Sequence, residues 1–265
     1  LLRTVHQTLL VDVAMKSRVV VARGRILLGC IEEYGCLGPD EVFMQCSVQP
    51  CDEPIDNKSS SSSKTLIATR VAGQEYFCVN TRVVVAKNPC MHPGDVRVLR
   101  AVADRPRLAH LVDCVVFPAC GARPITNMCS GSDLDGDLYF VAWEPALIPP
   151  RVEEPMDYTA PPTLAKPEPV QITDVMQFFV DFIKMDQLGR IANAHVALSD
   201  KSPLGVLDPQ CIQLAKLFSQ AVDFPKTGLV AEMPQFIKVR EWPDFMERTR
   251  RNNTTNRSEK INGKM

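Results

Sequence analysis

The chain has 265 residues, is 45% hydrophobic and carries a formal net charge of -1 at pH 7. That length can bury a core in one large domain or in two smaller ones. The balanced charge excludes a global basic field, so any contact with nucleic acid must come from local patches or from other parts of a longer protein. No run of about 18 apolar residues occurs, so we expect no membrane span.

The first part of the sequence predicts β structure. Residues 1–18 lack an initiator methionine and a signal peptide, and we expect them to be the end of a preceding segment of a longer polypeptide. Residues 19–148 alternate short β-branched runs with turn residues, which predicts a barrel or a sandwich. The serine-rich stretch at 56–64 predicts a flexible loop inserted between two strands. The predicted strands lie at 18–22, 25–31, 42–48, 82–86, 96–102, 111–117 and 137–143.

The pattern changes after residue 148. Prolines accumulate in 149–172, where they remove backbone donors and block helix formation, so this range predicts an extended linker. Residues 173–237 have apolar residues at helical spacing, with two helices meeting at Gly189. A further helix has Asp208 at its N-cap and Pro209 in its first turn. Residues 238–265 are basic and predict a flexible tail.

Cysteine and histidine give little indication of a metal site. The ten cysteines contain no CxxC pair, and the chain does not look small or secreted. They are therefore interpreted as reduced, buried side chains rather than as disulfides or a zinc site. His195 lies on the apolar face of a predicted helix and is interpreted as a core residue.

Three aspartates, Asp133, Asp135 and Asp137, lie at alternate positions in the run CSGSDLDGDLY at 129–139. Three carboxylates so close together repel one another unless a cation neutralises them. The glycines and serines around them allow the backbone to curl, so that the oxygens can converge. Because carboxylate oxygens suit Mg²⁺, which shares its coordination with substrate phosphates, the run predicts a magnesium site, with Mn²⁺ as a substitute.

The aspartate run has two alternative interpretations. A solvated acidic turn is the simpler one, but the run leads into an apolar strand, where clustered carboxylates are costly unless paired or metal-bound. A calcium loop counted from Asp133 places Glu144 correctly at position 12. It fails because Leu138 stands where that loop needs glycine, and because 121–131 predicts turn and strand rather than an entering helix.

A second polar group, Lys87, Asn88 and His92, crowds a turn that closes the apolar strand before it. Lys87 could hold a phosphate, while Asn88 and His92 could bond ribose hydroxyls. The alternative is a lysine at the end of a strand and a histidine that caps a turn. The local sequence leaves both open.

Several motifs together resemble the cellular RNA-dependent RNA polymerases of the eukaryotic RNA-silencing pathway, in their C-terminal catalytic portion. The resemblance runs from about residue 17 to 228 in the order of that family. One departure is EEYG at 32–35, where the family tends to have Asp-Glu-Thr-Gly. The motifs are SGSDLDGDLY at 130–139, KNPC at 87–90, HPGDV at 92–96, VVFP at 115–118, LGRIANAH at 188–195 and AVDFPK at 221–226.

The resemblance implies an α+β fold: a double-psi β-barrel that carries the aspartate loop, followed by the Pro-rich connector and a helical segment. It implies copying of single-stranded RNA into double-stranded RNA for gene silencing, by two-metal nucleotidyl transfer with Mg²⁺ on Asp133, Asp135 and Asp137. By the same resemblance Lys87 and its neighbours become candidates for contacts with the triphosphate or ribose. A DNA-dependent RNA polymerase-like subunit and a catalytically silent scaffold of the same fold remain as alternatives.

The resemblance also implies partners. These are a single-stranded RNA template, nucleoside triphosphates, a second barrel upstream on the same polypeptide, and RNA-silencing proteins such as a dicing nuclease. No membrane partner is expected, and the place of action would be the nucleus, the cytoplasm or both. Since the family's cleft lies between two barrels, we expect this chain alone to have little or no activity.

Overall fold

The computed structural model describes residues 2–16, 19–49, 65–159, 168–185, 187–246 and 254–256. The chain divides into two compact units, one formed by Val20–Tyr158 and the other by Leu1–Val19 with Thr159–Met265. Residues 149–158, which the sequence assigns to the linker, are part of the first unit. The other predicted domain boundaries stay predictions. No helix in the described part of the chain has the length and apolar character needed to cross a bilayer.

Helix α1 spans Leu2–Lys16 and precedes the unit Val20–Tyr158, which is built of β-strands. In the described part of that unit the strands and the α-helix are β1 (Gly24–Ile31), β2 (Glu41–Ser47), β3 (Leu66–Val71), β4 (Gln74–Val79), β5 (Arg82–Lys87), β6 (Arg97–Ala101), β7 (Cys114–Phe117), α2 (Ile125–Met128) and β8 (Leu138–Ala142).

Six of the strands form a closed ring in the order β2-β6-β5-β8-β1-β7, which returns to β2. The pairs β1–β7 and β2–β6 are parallel, and the other pairs of the ring are antiparallel. The β3–β4 hairpin extends this ring from β2. Closure removes free strand edges within the ring, and β3 is the outer strand of the sheet. The predicted barrel is confirmed.

The interior of the barrel is apolar because alternate residues of each strand point inward. Tyr139, Phe77 and Trp143 are its large aromatic members, and the Phe77 and Trp143 rings pack edge to face with their centroids 5.9 Å apart. Phe117 packs in the same way against Tyr139 at 4.9 Å. The strand that follows the aspartates is therefore fixed in the core.

The second unit is helical and includes α3 (Ile172–Met185), α4 (Leu188–Lys201) and α5 (Pro209–Thr227). The Asp208 side chain accepts a hydrogen bond from the Gln210 amide and caps α5, as predicted. Gly228 ends α5 in the left-handed conformation. Two short strands, β9 (Glu241–Pro243) and β10 (Thr254–Asn256), pair in parallel. His195 is buried on α4, as expected for a core residue.

Some elements differ from the sequence-based expectation. Helix α1 and the β3–β4 hairpin were not predicted, and residues 19–22 form no strand. A single helical turn, α2, stands where turn and strand are expected from the sequence, and Pro124 lies at its N-cap. The serine-rich loop at 56–64 lies outside the described residues.

Candidate active site

The three aspartates lie on the connection between α2 and β8. The chain leaves α2 in a tight turn, in which the Gly131 amide donates to the Asn127 carbonyl at 3.1 Å. Ser130 and Gly131 have φ angles of 57° and 62°, and Gly136 has a φ of 124°. Such angles favour glycine, and they give the backbone the curl that the sequence predicts. We call residues 130–137 the aspartate loop.

The structure brings the three carboxylates together, since each offers one oxygen that lies within 4.8 Å of the others. Asp133 and Asp135 are exposed and Asp137 is half-buried. Around an octahedral Mg²⁺, oxygens at neighbouring positions lie about 3.0 Å apart and only opposite ones lie about 4.2 Å apart, so the three oxygens must move closer together to bind one ion. The set of donors therefore fits a hard divalent cation.

The hydroxyl of Tyr139 anchors the aspartate loop to the barrel, in which the Tyr139 side chain is fully buried. That hydroxyl donates to the Asp133 carbonyl at 3.0 Å and lies 2.6 Å from the Ser132 hydroxyl. Ser132 in turn donates to the Thr126 carbonyl at 2.6 Å. Burial raises the pKa of Tyr139, so the hydroxyl keeps its proton for the bond to the Asp133 carbonyl. Ser132 and Tyr139 of the SGSDLDGDLY motif thus support the structure of the loop.

A glycine on the neighbouring strand completes this support. The Gly29 amide donates to the Asp137 carbonyl at 3.2 Å. A Cβ at Gly29 would lie 2.9 Å from the Leu134 side chain and would overlap the Tyr139 ring. Sequence reasoning does not find this role, because Gly29 lies over 100 positions from the loop and meets it only through the pairing of β1 with β8.

Lys87 reaches the aspartates from the end of β5. Its ammonium nitrogen lies 2.6 Å from a carboxylate oxygen of Asp137, and each side chain is 20% exposed. The pairing of β5 with β8 explains the contact, because Lys87 lies opposite Tyr139, two residues beyond Asp137. The Ser130 hydroxyl also donates to the Lys87 carbonyl at 3.4 Å. Lys87 therefore lies beside the aspartate loop, while its role toward a phosphate stays a prediction.

The other two candidates lie on the turn that follows Lys87. Asn88 is exposed at the end of β5. His92 caps the turn 93–95, since its Nδ1 accepts a hydrogen bond from the Gly94 amide at 3.1 Å. Asp95 is 1% exposed, and its carboxylate accepts from the His92 amide at 3.0 Å. The histidine thus has the capping role of the alternative interpretation, while its role toward a substrate stays a prediction, as does that of Asn88.

The cysteines near this site do not resemble metal ligands. Burial raises the pKa of the Cys90 and Cys129 thiols to about 12, so both stay protonated at neutral pH. In the described part of the chain, the three aspartates are the only group of three or more His, Cys, Asp or Glu side chains close enough to share an ion. The site is therefore a carboxylate site.

Comparison with known proteins gives consistent matches along the chain. The family described as RNA dependent RNA polymerase matches residues 1–265. "Probable RNA-dependent RNA polymerase 1" of Oryza sativa subsp. japonica is 46% identical over 248 residues, which cover 94% of this chain and 30% of that protein. "RNA-dependent RNA polymerase 1" of Arabidopsis thaliana is 47% identical over 248 residues, covering 94% and 20%. The protein of the same name from Schizosaccharomyces pombe is 36% identical over 266 residues, covering 94% and 21%.

A solved structure, "RNA dependent RNA polymerase QDE-1 from Thielavia terrestris", is similar to this one with a TM-score of 0.58 and 22% sequence identity. The match covers 85% of this chain and 24% of that chain. This likeness concerns the fold, and it confirms the double-psi β-barrel followed by helices. The chain spans 20% to 30% of the length of the three curated relatives.

Proposed function

Because this chain belongs to the RNA-dependent RNA polymerase family, we propose that it is the catalytic portion of an enzyme that copies single-stranded RNA into double-stranded RNA. The observation that carries the proposal is the convergence of three carboxylates on one loop of the barrel, with a lysine beside them. A barrel kept only as a scaffold has no need to hold like charges so close together. The product would serve RNA-mediated gene silencing.

In this proposal Asp133, Asp135 and Asp137 would hold Mg²⁺, with Mn²⁺ as a substitute. Bound divalent ions supply charge neutralisation at the attacking 3′-oxygen of the growing RNA and at the pyrophosphate leaving group. The protein contributes the positions of the three carboxylates, which the Tyr139 and Ser132 hydroxyls fix before any substrate arrives. Such preorganisation removes part of the cost of ordering the site during the reaction.

Lys87 has two roles in this mechanism. Its ammonium group offsets the negative charge of Asp137, and it can exchange that partner for a phosphate oxygen of an incoming nucleoside triphosphate. Asn88 and His92 lie on the same turn and are proposed to contact the ribose. Because the Nδ1 of His92 accepts from Gly94, the neutral ring carries its proton on Nε2, which suits donation to a ribose hydroxyl.

The remaining partners are also proposals. A second barrel upstream on the same polypeptide would complete the cleft, which agrees with the larger size of the relatives. The chain itself would then be inactive in isolation. A dicing nuclease and other silencing proteins would use the product, in the nucleus, the cytoplasm or both, which cell fractionation can test.

The test is primer extension on single-stranded RNA by the full-length enzyme. We expect the wild-type enzyme to incorporate nucleotides and the Asp135→Ala variant to incorporate none, with the melting temperature unchanged. Asp104→Ala, which removes an exposed acid from the loop after β6, is the matched control and should stay active. Incorporation by the Asp135→Ala variant would refute the assignment of the site. A wild-type enzyme that copies DNA in preference to RNA would refute the template.

A further inference from the structure

The segment 153–158, which we call the strap, follows the barrel and lies across the turns of the active site. Two arginines hold its backbone. Arg97 donates to the Glu153 carbonyl at 2.9 Å, and Arg123 donates to the Met156 carbonyl at 2.6 Å. Buried Met156 is 6% exposed. The strap is therefore fixed to the barrel, although its sequence is that of an extended linker.

The turn of His92 leaves room for the strap only because residue 94 is glycine. A Cβ at Gly94 would lie 2.8 Å from the Pro155 Cα and would overlap the Glu154 carbonyl oxygen. Backbone thus packs directly on backbone, and neither can shift toward the other. The strap and the 93–95 turn form one packed unit.

Tyr158, the last residue of the strap, contacts both halves of the active site. Its hydroxyl donates to a carboxylate oxygen of Asp95, whose other oxygen accepts from the His92 amide. Its ring covers Gly131, where an added Cβ would lie 2.7 Å from the ring carbons. Gly131 stands two residues before Asp133. One side chain therefore touches the turn of His92 and the aspartate loop.

The protonation of Tyr158 suits this arrangement. Burial and the hydrogen bond to Asp95 raise the pKa of Tyr158, so the hydroxyl stays a donor at all ordinary pH values. Asp95 is 1% exposed and needs donors for both of its oxygens. Loss of the hydroxyl would remove the donor to one oxygen of a buried carboxylate and would loosen the turn that Asp95 caps.

We propose that Tyr158 is a positioning residue that joins the metal-binding and nucleotide-binding halves of the site, an inference that rests on the proposed polymerase function. The ring holds Gly131 and thereby the spacing of the three carboxylates. The hydroxyl holds Asp95 and thereby the orientation of His92. The two functions of one side chain can be separated by mutation.

Tyr158→Phe keeps the ring and removes the hydroxyl. In the full-length enzyme we expect the Mn²⁺ dissociation constant to stay within about twofold of wild type, while the KM for nucleoside triphosphate rises about tenfold. Tyr158→Ala removes both contacts. For that variant we expect Mn²⁺ binding to weaken by about tenfold as well, with a fall in kcat.

Mn²⁺ binding is measured by calorimetry. The heat assigned to the site is the part of the binding signal that disappears when Asp133, Asp135 and Asp137 are all replaced by alanine. This readout does not depend on activity. Tyr76→Phe is the matched control, because Tyr76 is 8% exposed and lies on β4 within the same barrel unit. It should leave both the KM and Mn²⁺ binding unchanged.

The outcomes separate the two proposals. Wild-type activity that is lost in Asp135→Ala, with both Tyr158 variants showing wild-type KM and Mn²⁺ binding, would overturn the inference and leave the proposed function standing. If Tyr158→Phe and Tyr158→Ala lost Mn²⁺ binding and nucleotide affinity to the same extent, the tyrosine would have only a structural role. That result would also overturn the inference. If Tyr158→Ala fails to fold, the KM and Mn²⁺ values of Tyr158→Phe decide. An inactive wild-type enzyme would count against the proposed function, whereas a tenfold weaker Mn²⁺ site in Tyr158→Ala would still support the role of the ring.

Discussion

Replacement of Gly131 by alanine tests the packing that supports the aspartate loop. The change imposes two costs. At a φ of 62°, an L side chain costs about 1–2 kcal/mol of stability relative to glycine. The new Cβ would also lie 2.7 Å from the Tyr158 ring, and overpacking of this kind costs about 1–3 kcal/mol. The sum predicts a loss of roughly 2–5 kcal/mol in the free energy of unfolding.

The chain offers a matched control for the backbone part of this loss. Gly35 has a φ of 61°, and an added Cβ there would meet nothing within 4 Å. Gly35→Ala should therefore lose only about 1–2 kcal/mol. The difference between the two variants isolates the contact with the ring, and the double variant Gly131→Ala, Tyr158→Ala should recover part of it.

The assay is urea unfolding followed by tryptophan fluorescence. The chain has two tryptophans, Trp143 in the barrel core and Trp242 in the helical unit. A Trp242→Phe background makes the signal report on the barrel alone. Equal losses in Gly131→Ala and Gly35→Ala would refute the reasoning, because the ring would then contribute nothing at Gly131.

Further predictions concern charge and support around the site. Glu32→Gln should cost about 2–3 kcal/mol at pH 7, because the buried carboxylate accepts from two backbone amides, and exposed Glu33→Gln should cost nothing measurable. Burial alone would raise the pKa of Glu32, but its hydrogen bonds outweigh burial and lower it. Its stabilisation is therefore present above about pH 4.3 and lost as the pH falls further, so the Glu32→Gln difference should shrink in acid unfolding curves. Ser132→Ala should cost about 0.5–1.5 kcal/mol in urea unfolding, since the Tyr139 hydroxyl and the Thr126 carbonyl each lose one contact. Each keeps another partner, the Asp133 carbonyl for the hydroxyl and the Cys129 amide for the carbonyl. Lys87→Met should raise the KM for nucleoside triphosphate, and it should tighten Mn²⁺ binding in calorimetry because the ammonium group no longer competes with the ion for Asp137. Weaker Mn²⁺ binding would mean that the lysine orients Asp137 instead. Deletion of residues 58–64 should leave the melting temperature nearly unchanged, and a large fall would refute the interpretation as a loop.

The sequence predicted the barrel strands well where the signal is local. The runs of β-branched residues between turns coincide with β1, β2, β5, β6, β7 and β8 to within a few residues. The sequence does not predict the β3–β4 hairpin, because polar residues such as Arg70, Gln74 and Glu75 interrupt the apolar pattern of its strands. Helix α1 is not predicted either, because residues 1–18 are interpreted only as the end of a preceding segment.

The sequence also determined the chemistry of the site. Three aspartates at alternate positions among glycines and serines give hard oxygen donors on a flexible backbone, and that property depends on nothing outside residues 129–139. The motifs around them indicated the family. Both follow from the chain itself, because residue type and local spacing are enough to define a donor set.

Only the tertiary structure decided what surrounds those aspartates. Lys87 meets Asp137 because β5 pairs with β8, and Gly29 meets the loop because β1 pairs with the other edge of β8. Tyr158 comes from a proline-rich stretch with no regular pattern, yet it contacts both Gly131 and Asp95. Contacts between residues far apart in sequence depend on strand order and register, which local composition does not encode.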